Sequence, residues 1–181
     1  MEGIAVRRLR NAGAAPSRTD FEDFFSCLYP SLQESAWFLE NAMIAPPAEW
    51  EERSDSVLDR PRGPEWDEFF GFIVAVADPE GASSLRLMSA GFVPRYGRYL
   101  VDDWCELAAL PSALATPATL AAAAGRAPGT LWQLPFIEAS FHNVDAAFWE
   151  FRAHDASLVL AVQHHLAGRR DVRIDPLPVG A

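Results

Sequence analysis

The stretch LWQLPFIEASFHNVDAAFWEFRAH, Leu131 to His154, decides how this chain is read. Ile137, Ala139 and Phe141 alternate with Glu138, Ser140 and His142; beyond a short turn, Trp149, Phe151 and Ala153 alternate with Glu150, Arg152 and His154. Successive side chains of a strand point to opposite faces, so this period of two predicts an amphipathic β-hairpin with one face in a core. The opposite face carries two histidines, two carboxylates, a serine and an arginine. Keeping polar residues opposite polar ones requires cross-strand pairs whose numbers sum to an even value. A sum of 290 sets Glu138 opposite Arg152, Ser140 opposite Glu150 and His142 opposite Phe148, around a loop Val144-Asp145-Ala146.

Working outward, Phe69 to Ala77 and Leu85 to Val93 flank Asp78-Pro79-Glu80-Gly81, residues suited to a type I turn, and predict an earlier hairpin. Leu100, Val101, Trp104, Leu107 and Ala108 fall at helical spacing, with Asp102, Asp103 and Glu106 on the other side. Two hairpin-then-helix units follow, roughly 69–110 and 131–167. The expected fold class is α+β: an antiparallel sheet built from two β-hairpins with helices packed on one face.

Local signals place the remaining elements. Thr19 and Glu22 form a capping box ahead of Phe21, Phe24, Phe25 and Leu28. Ser31 with Glu34 opens a second helix reaching Met43, in competition with a strand through Trp37 to Leu39. Thr116-Pro117 starts an alanine-rich helix, and Asp155 caps one whose apolar stripe is Leu158, Val159, Val162 and Leu166. Asp171 to Pro178 is a final strand, with prolines that suit a sheet edge. Residues 1–18 read as a flexible N-terminal arm, or an edge strand over Ile4 to Leu9; residues 19–181 form a single α+β domain.

Composition narrows the chemistry. The 181 residues include 15 basic side chains, all arginine, so no lysine exists for a Schiff base, a phosphate-binding loop or a kinase site. There is no Gly-x-Ser-x-Gly and no Gly-x-Gly-x-x-Gly, and two cysteines are too few for a cysteine-rich zinc site. No cofactor and no metal is expected. No apolar run reaches the ~20 residues of a membrane helix, and no leader is visible, so a cytoplasmic protein is expected. The net charge of −10 disfavours nucleic acid and anionic membrane as partners.

That charge is concentrated. From Glu49 to Glu68 there are eight acids against three arginines, a net of −5. Trp50 and Trp66 bracket the stretch, and tryptophan and arginine are typical interface anchors. Trp50, Glu51, Glu52, Asp55, Asp59, Arg62, Trp66 and Asp67 are therefore the expected partner-binding residues. Tryptophans that pin the loop to the core are the competing explanation. The second candidate site is His142, Glu150, Arg152 and His154, against which stands ordinary cross-strand pairing in solvent. His164 and His165, in the last turn of a helix, are explained by the helix dipole. Arg95, Tyr96, Arg98 and Tyr99 could grip an anion, with a turn and its salt bridges as the simpler reading.

No catalytic residue is assigned. The expected function is that of a non-enzymatic acidic binding protein that recognises and inhibits a basic protein partner, as bacterial immunity proteins do with toxins. That likeness is one of size, charge and absent catalytic motifs, not of sequence. The alternatives are a small enzyme or ligand-binding domain on the polar hairpin face, or a homodimer.

Overall fold

The computed structural model describes residues 1–9, 21–40, 64, 68–69, 85–97, 106–127, 129–144 and 148–178. Seven strands make one antiparallel sheet: β1 (Glu2–Arg8), β2 (Ser35–Glu40), β3 (Arg86–Met88), β4 (Glu106–Pro111), β5 (Ala139–Val144), β6 (Phe148–Ala153) and β7 (Val172–Pro176). Their spatial order is β3-β2-β4-β5-β6-β1-β7. Four α-helices lie wholly within the described residues: α1 (Phe21–Phe25), α2 (Phe92–Tyr96), α3 (Pro117–Ala123) and α4 (Ala156–Leu166). The α+β class holds.

The hairpin of β5 and β6 forms with one face buried, as the alternation requires. Ala139, Phe141, Trp149, Phe151 and Ala153 all lie in the core. Its register differs from the expected one by two. Pairs sum to 292, so Ser140 faces Arg152 and His142 faces Glu150 rather than Phe148. Alternation cannot separate 290 from 292, since both keep polar residues together.

Of the two readings of the N-terminus the strand is the one that forms, over residues 2–8, but inside the sheet and not at its edge. These form an interior strand bonded to β6 on one side and β7 on the other. Ile4 and Val6 enter the core. A glycine is needed at position 3, where a Cβ would stand 2.8 Å from the Arg152 Cγ and 3.0 Å from the Phe151 carbonyl oxygen.

The first hairpin is not reproduced among the described residues. β3 pairs with β2, while 70–84 lie outside the described residues. The helix expected across Leu107 and Ala108 is also corrected, because those residues belong to β4, between β2 and β5. Glu106 to Leu110 are all buried. A strand covered on both faces loses its alternation and reads as a helix segment. The competing strand through Trp37 to Leu39 is the one that forms.

Burial of β4 on both faces shows that helices are not confined to one side. On one face α1, α2 and α4 pack over Ile4, Val6, Trp37, Leu39, Phe141 and Trp149. Phe25 is the hub, with ring centroids 4.9 Å from Phe141, 5.6 Å from Phe151 and 5.9 Å from Trp149. Each such pair contributes about 0.5–1.5 kcal/mol beyond its buried area. On the other face Ala123 of α3 and Leu131, Leu134 and Ile137 cover Ala36, Phe38, Ala108 and Leu110.

The helix ends follow their caps. Thr116 and Thr119 close a capping box on α3, with Pro117 at the first helical position. Asp155 accepts the Ser157 N–H at 2.8 Å to start α4, whose Val159, Val162 and Leu166 are buried. β7 lies beyond β1 at the end of the sheet, where its proline is tolerated.

Candidate functional site

Where β2 begins and β4 and β6 end, the sheet opens into a groove of about 860 Å³. One wall is the turn from Ser31 to Ser35 together with Pro111 to Leu114; the other is Pro135 to Glu138 with His154 to Leu158. The Ser112 hydroxyl donates to the Glu34 carbonyl oxygen and ties the two segments of the first wall. Leu32 and Ile137 are buried beneath, Phe136 and Leu158 are half-buried, and Leu114 is 42% exposed.

The charges lining this groove have one sign. Glu34, Glu138 and Asp155 supply carboxylates, His154 supplies an imidazole, and no arginine among the described residues lines it. The N–H and hydroxyl of Ser157 hold Asp155 below the usual carboxylate range. Its charge also caps α4.

Glu138 is the most tightly held of these acids. Its N–H donates to the Ala109 carbonyl at 2.9 Å, and its carbonyl accepts the His154 N–H at 3.0 Å. The Ser35 hydroxyl then donates to Oε2 at 2.9 Å. Its backbone is thus held by β4 and by the residue that follows β6, and its carboxylate is met by the Ser35 hydroxyl of β2. Among the described residues nothing hydrogen-bonds to Oε1.

The second candidate set, His142, Glu150, Arg152 and His154, is divided by the fold. His142 and Glu150 are brought together as direct cross-strand neighbours. His154 lines the groove, roughly 14 Å from His142 along the strand direction. Arg152 is only 9% exposed; its guanidinium lies 4.7 Å from the Trp132 ring centroid and donates to the Pro178 carbonyl at 3.3 Å. It joins the end of β7 to the turn at Leu131–Gln133 and does not point with the histidines to a common centre.

His142 belongs instead to a row that crosses four strands: Glu40 on β2, Glu106 on β4, His142 on β5 and Glu150 on β6. Glu106, expected on a solvated helix face, is 1% exposed. Both its oxygens are used, accepting the Gly129 N–H at 2.8 Å and the Leu131 N–H at 3.0 Å. Burial raises its pKa to about 7, opposed by those two hydrogen bonds and reinforced by Glu40. The same turn presses on His142, where a Cβ on Gly129 would stand 2.7 Å from Nδ1. Glu106 therefore acts as a clamp on the turn. Among the described residues no group of three or more histidine, cysteine, aspartate and glutamate side chains is placed to hold a metal ion.

The expected partner-binding residues Trp50, Glu51, Glu52, Asp55, Asp59, Arg62, Trp66 and Asp67 lie outside the described residues, as do Arg98 and Tyr99. Arg95 is salt-bridged to Glu68 at 2.6 Å, and Tyr96 is in the core. The His165 ring nitrogen meets the Asp23 carbonyl oxygen at 3.2 Å, and His164 is exposed.

Sequence reading missed the groove. Its walls come from four separated segments, and the Ser35–Glu138 contact spans 103 positions. Among the described residues no helix is long and apolar enough to cross a membrane. Comparison with known proteins finds no family model, no curated protein and no solved structure that matches this chain.

Proposed function

We propose that this chain is a non-enzymatic acidic binding protein whose groove receives a basic, partly apolar surface of a protein partner. The observation that carries this reading is the groove's composition: an apolar floor, three carboxylates and, among the described residues, no arginine. An apolar centre with a charged rim is the anatomy of a protein-binding site. The net charge of −10 acts in the same direction and favours fast, salt-sensitive association with a cationic partner. The acidic stretch from Glu49 to Glu68 adds to that attraction through its charge. Inhibition of a basic toxin or enzyme, in the manner of an immunity protein, is the biological role that fits such binding.

The test is calorimetric titration with matched peptide sets of equal apolar content, one basic and one acidic, at low and high salt. Binding confined to the basic set, weakened by salt and lost in Leu114→Arg, supports the proposal. Equal binding of the acidic set, or no binding by either, overturns it.

A further inference from the structure

We infer that the Ser35–Glu138 pair is the element of the groove that reads its partner, and that it selects an arginine flanked by apolar residues. This rests on the proposed basic-partner function and adds the identity of the recognised side chain.

The argument starts from how thoroughly Glu138 is held. A carboxylate needed only for net charge gains nothing from being fixed in orientation, since attraction at long range does not depend on it. Here the backbone N–H and C=O are bonded to Ala109 of β4 and to His154 just beyond β6, and Oε2 accepts the Ser35 hydroxyl. Loss of side-chain freedom is therefore borne by the fold before any partner arrives, which is how preorganised sites gain affinity. Glu34 is exposed, and the Asp155 carboxylate is engaged with the N–H of Ser157. Asp155 is committed to capping α4, whereas Glu138 is oriented through Oε2 by Ser35 and keeps an oxygen that has no partner among the described residues.

A carboxylate of set orientation favours arginine over lysine. The guanidinium is a rigid planar fork that matches a carboxylate plane, whereas an ammonium is a point charge indifferent to that plane. Phe136, two residues before Glu138, places an aromatic ring in the same groove, where a guanidinium and its aliphatic stem can both pack. Leu32, Leu114 and Leu158 provide the apolar surface for the flanking residues.

The experiment uses the full chain and peptides of the form Gly-Ser-Leu-X-Leu-Ser-Gly, where X is arginine, lysine or citrulline. Affinities are read by calorimetry and the site by amide chemical-shift changes. Citrulline keeps the planar shape and removes the charge. The arginine peptide is expected to bind at least about tenfold more tightly than the citrulline peptide, with lysine between them. Glu138→Gln is expected to erase the arginine advantage while leaving citrulline binding unchanged. Ser35→Ala tests the orienting role without touching the charge and is expected to shrink the arginine-over-lysine preference. A thermal melt of each variant checks that it is folded.

Failure takes two distinguishable forms. If basic peptides bind but Glu138→Gln matches the parent while Glu34→Gln does not, the assignment to Glu138 falls and the proposed function stands. If neither basic peptide binds, both fall.

Discussion

Glu106 accepts the N–H of Gly129 at 2.8 Å from a position directly opposite His142 on the neighbouring strand. This contact makes the stability of the fold depend on pH in an unusual direction. Burial lifts the Glu106 pKa from about 4.5 to about 7, so between those values the folded state holds a proton that the unfolded chain has released. The stabilisation is complete below about pH 4.5 and is lost as the pH rises through about 7. Glu40, also raised by burial, adds to the same slope. Urea unfolding from pH 5 to pH 8 is expected to show stability falling by an order of 2–3 kcal/mol. Glu106→Gln is expected to flatten the profile and to lower stability at pH 5, since an amide can accept only one of the two N–H groups.

Gly129 has a φ of +75° and sits against the His142 ring. Gly129→Ala is expected to destabilise by about 2 kcal/mol or more, from left-handed strain together with the clash. The double variant with His142→Ala is expected to recover the clash portion only. Full recovery in thermal melts would place the whole effect on packing.

Asp23 gathers two arginines. Arg8 and Arg169 both donate to it, with Arg169 Nη1 to Oδ1 at 2.9 Å, and Arg169 Nη2 reaches Asp171 at 2.7 Å. These contacts tie α1 to β1 and to the connection after α4. Because the Asp23 side chain is 36% exposed, solvent screens the network, and a double-mutant cycle on Asp23 and Arg169 is expected to give a coupling of about 0.5–1 kcal/mol. That coupling should shrink in high salt.

Deleting residues 1–9 is expected to abolish cooperative unfolding, because it strips β6 and β7 of their shared partner and takes Ile4 and Val6 from the core. A true arm would be removable with no change in the melt. Circular dichroism of the truncated chain decides between the two.

The legible parts of the fold were those coded by near neighbours. Alternation from Ile137 to Ala153 located β5, β6 and the buried face, and Asp155 and Thr116 marked helix starts that form as written. What failed were features set by the other side of a contact. Leu107 and Ala108 looked helical because both faces of their strand are covered, and the N-terminus read as an arm or an edge strand because its partners lie at the far end of the sequence. The candidate site failed for the same reason. Glu138 was visible as one polar residue of a hairpin, but the hydroxyl that orients it belongs to β2. His142 and His154 caught attention by residue type, yet strand geometry alone already kept them apart.

The place of β1 between β6 and β7 has a further consequence during synthesis. Val6 pairs with Trp149 and Ile174, so β1 has no partner until about 140 more residues have been made. At roughly 5–20 residues per second, that leaves an apolar strand waiting for about 7–30 seconds on the ribosome. β2, β4 and β5 can meet earlier. Until β6 has been made, the nascent chain must shelter Ile4, Ala5 and Val6 in some other way. A chaperone that binds short extended apolar segments would find its natural client there, in the strand of this sheet that waits longest for a neighbour.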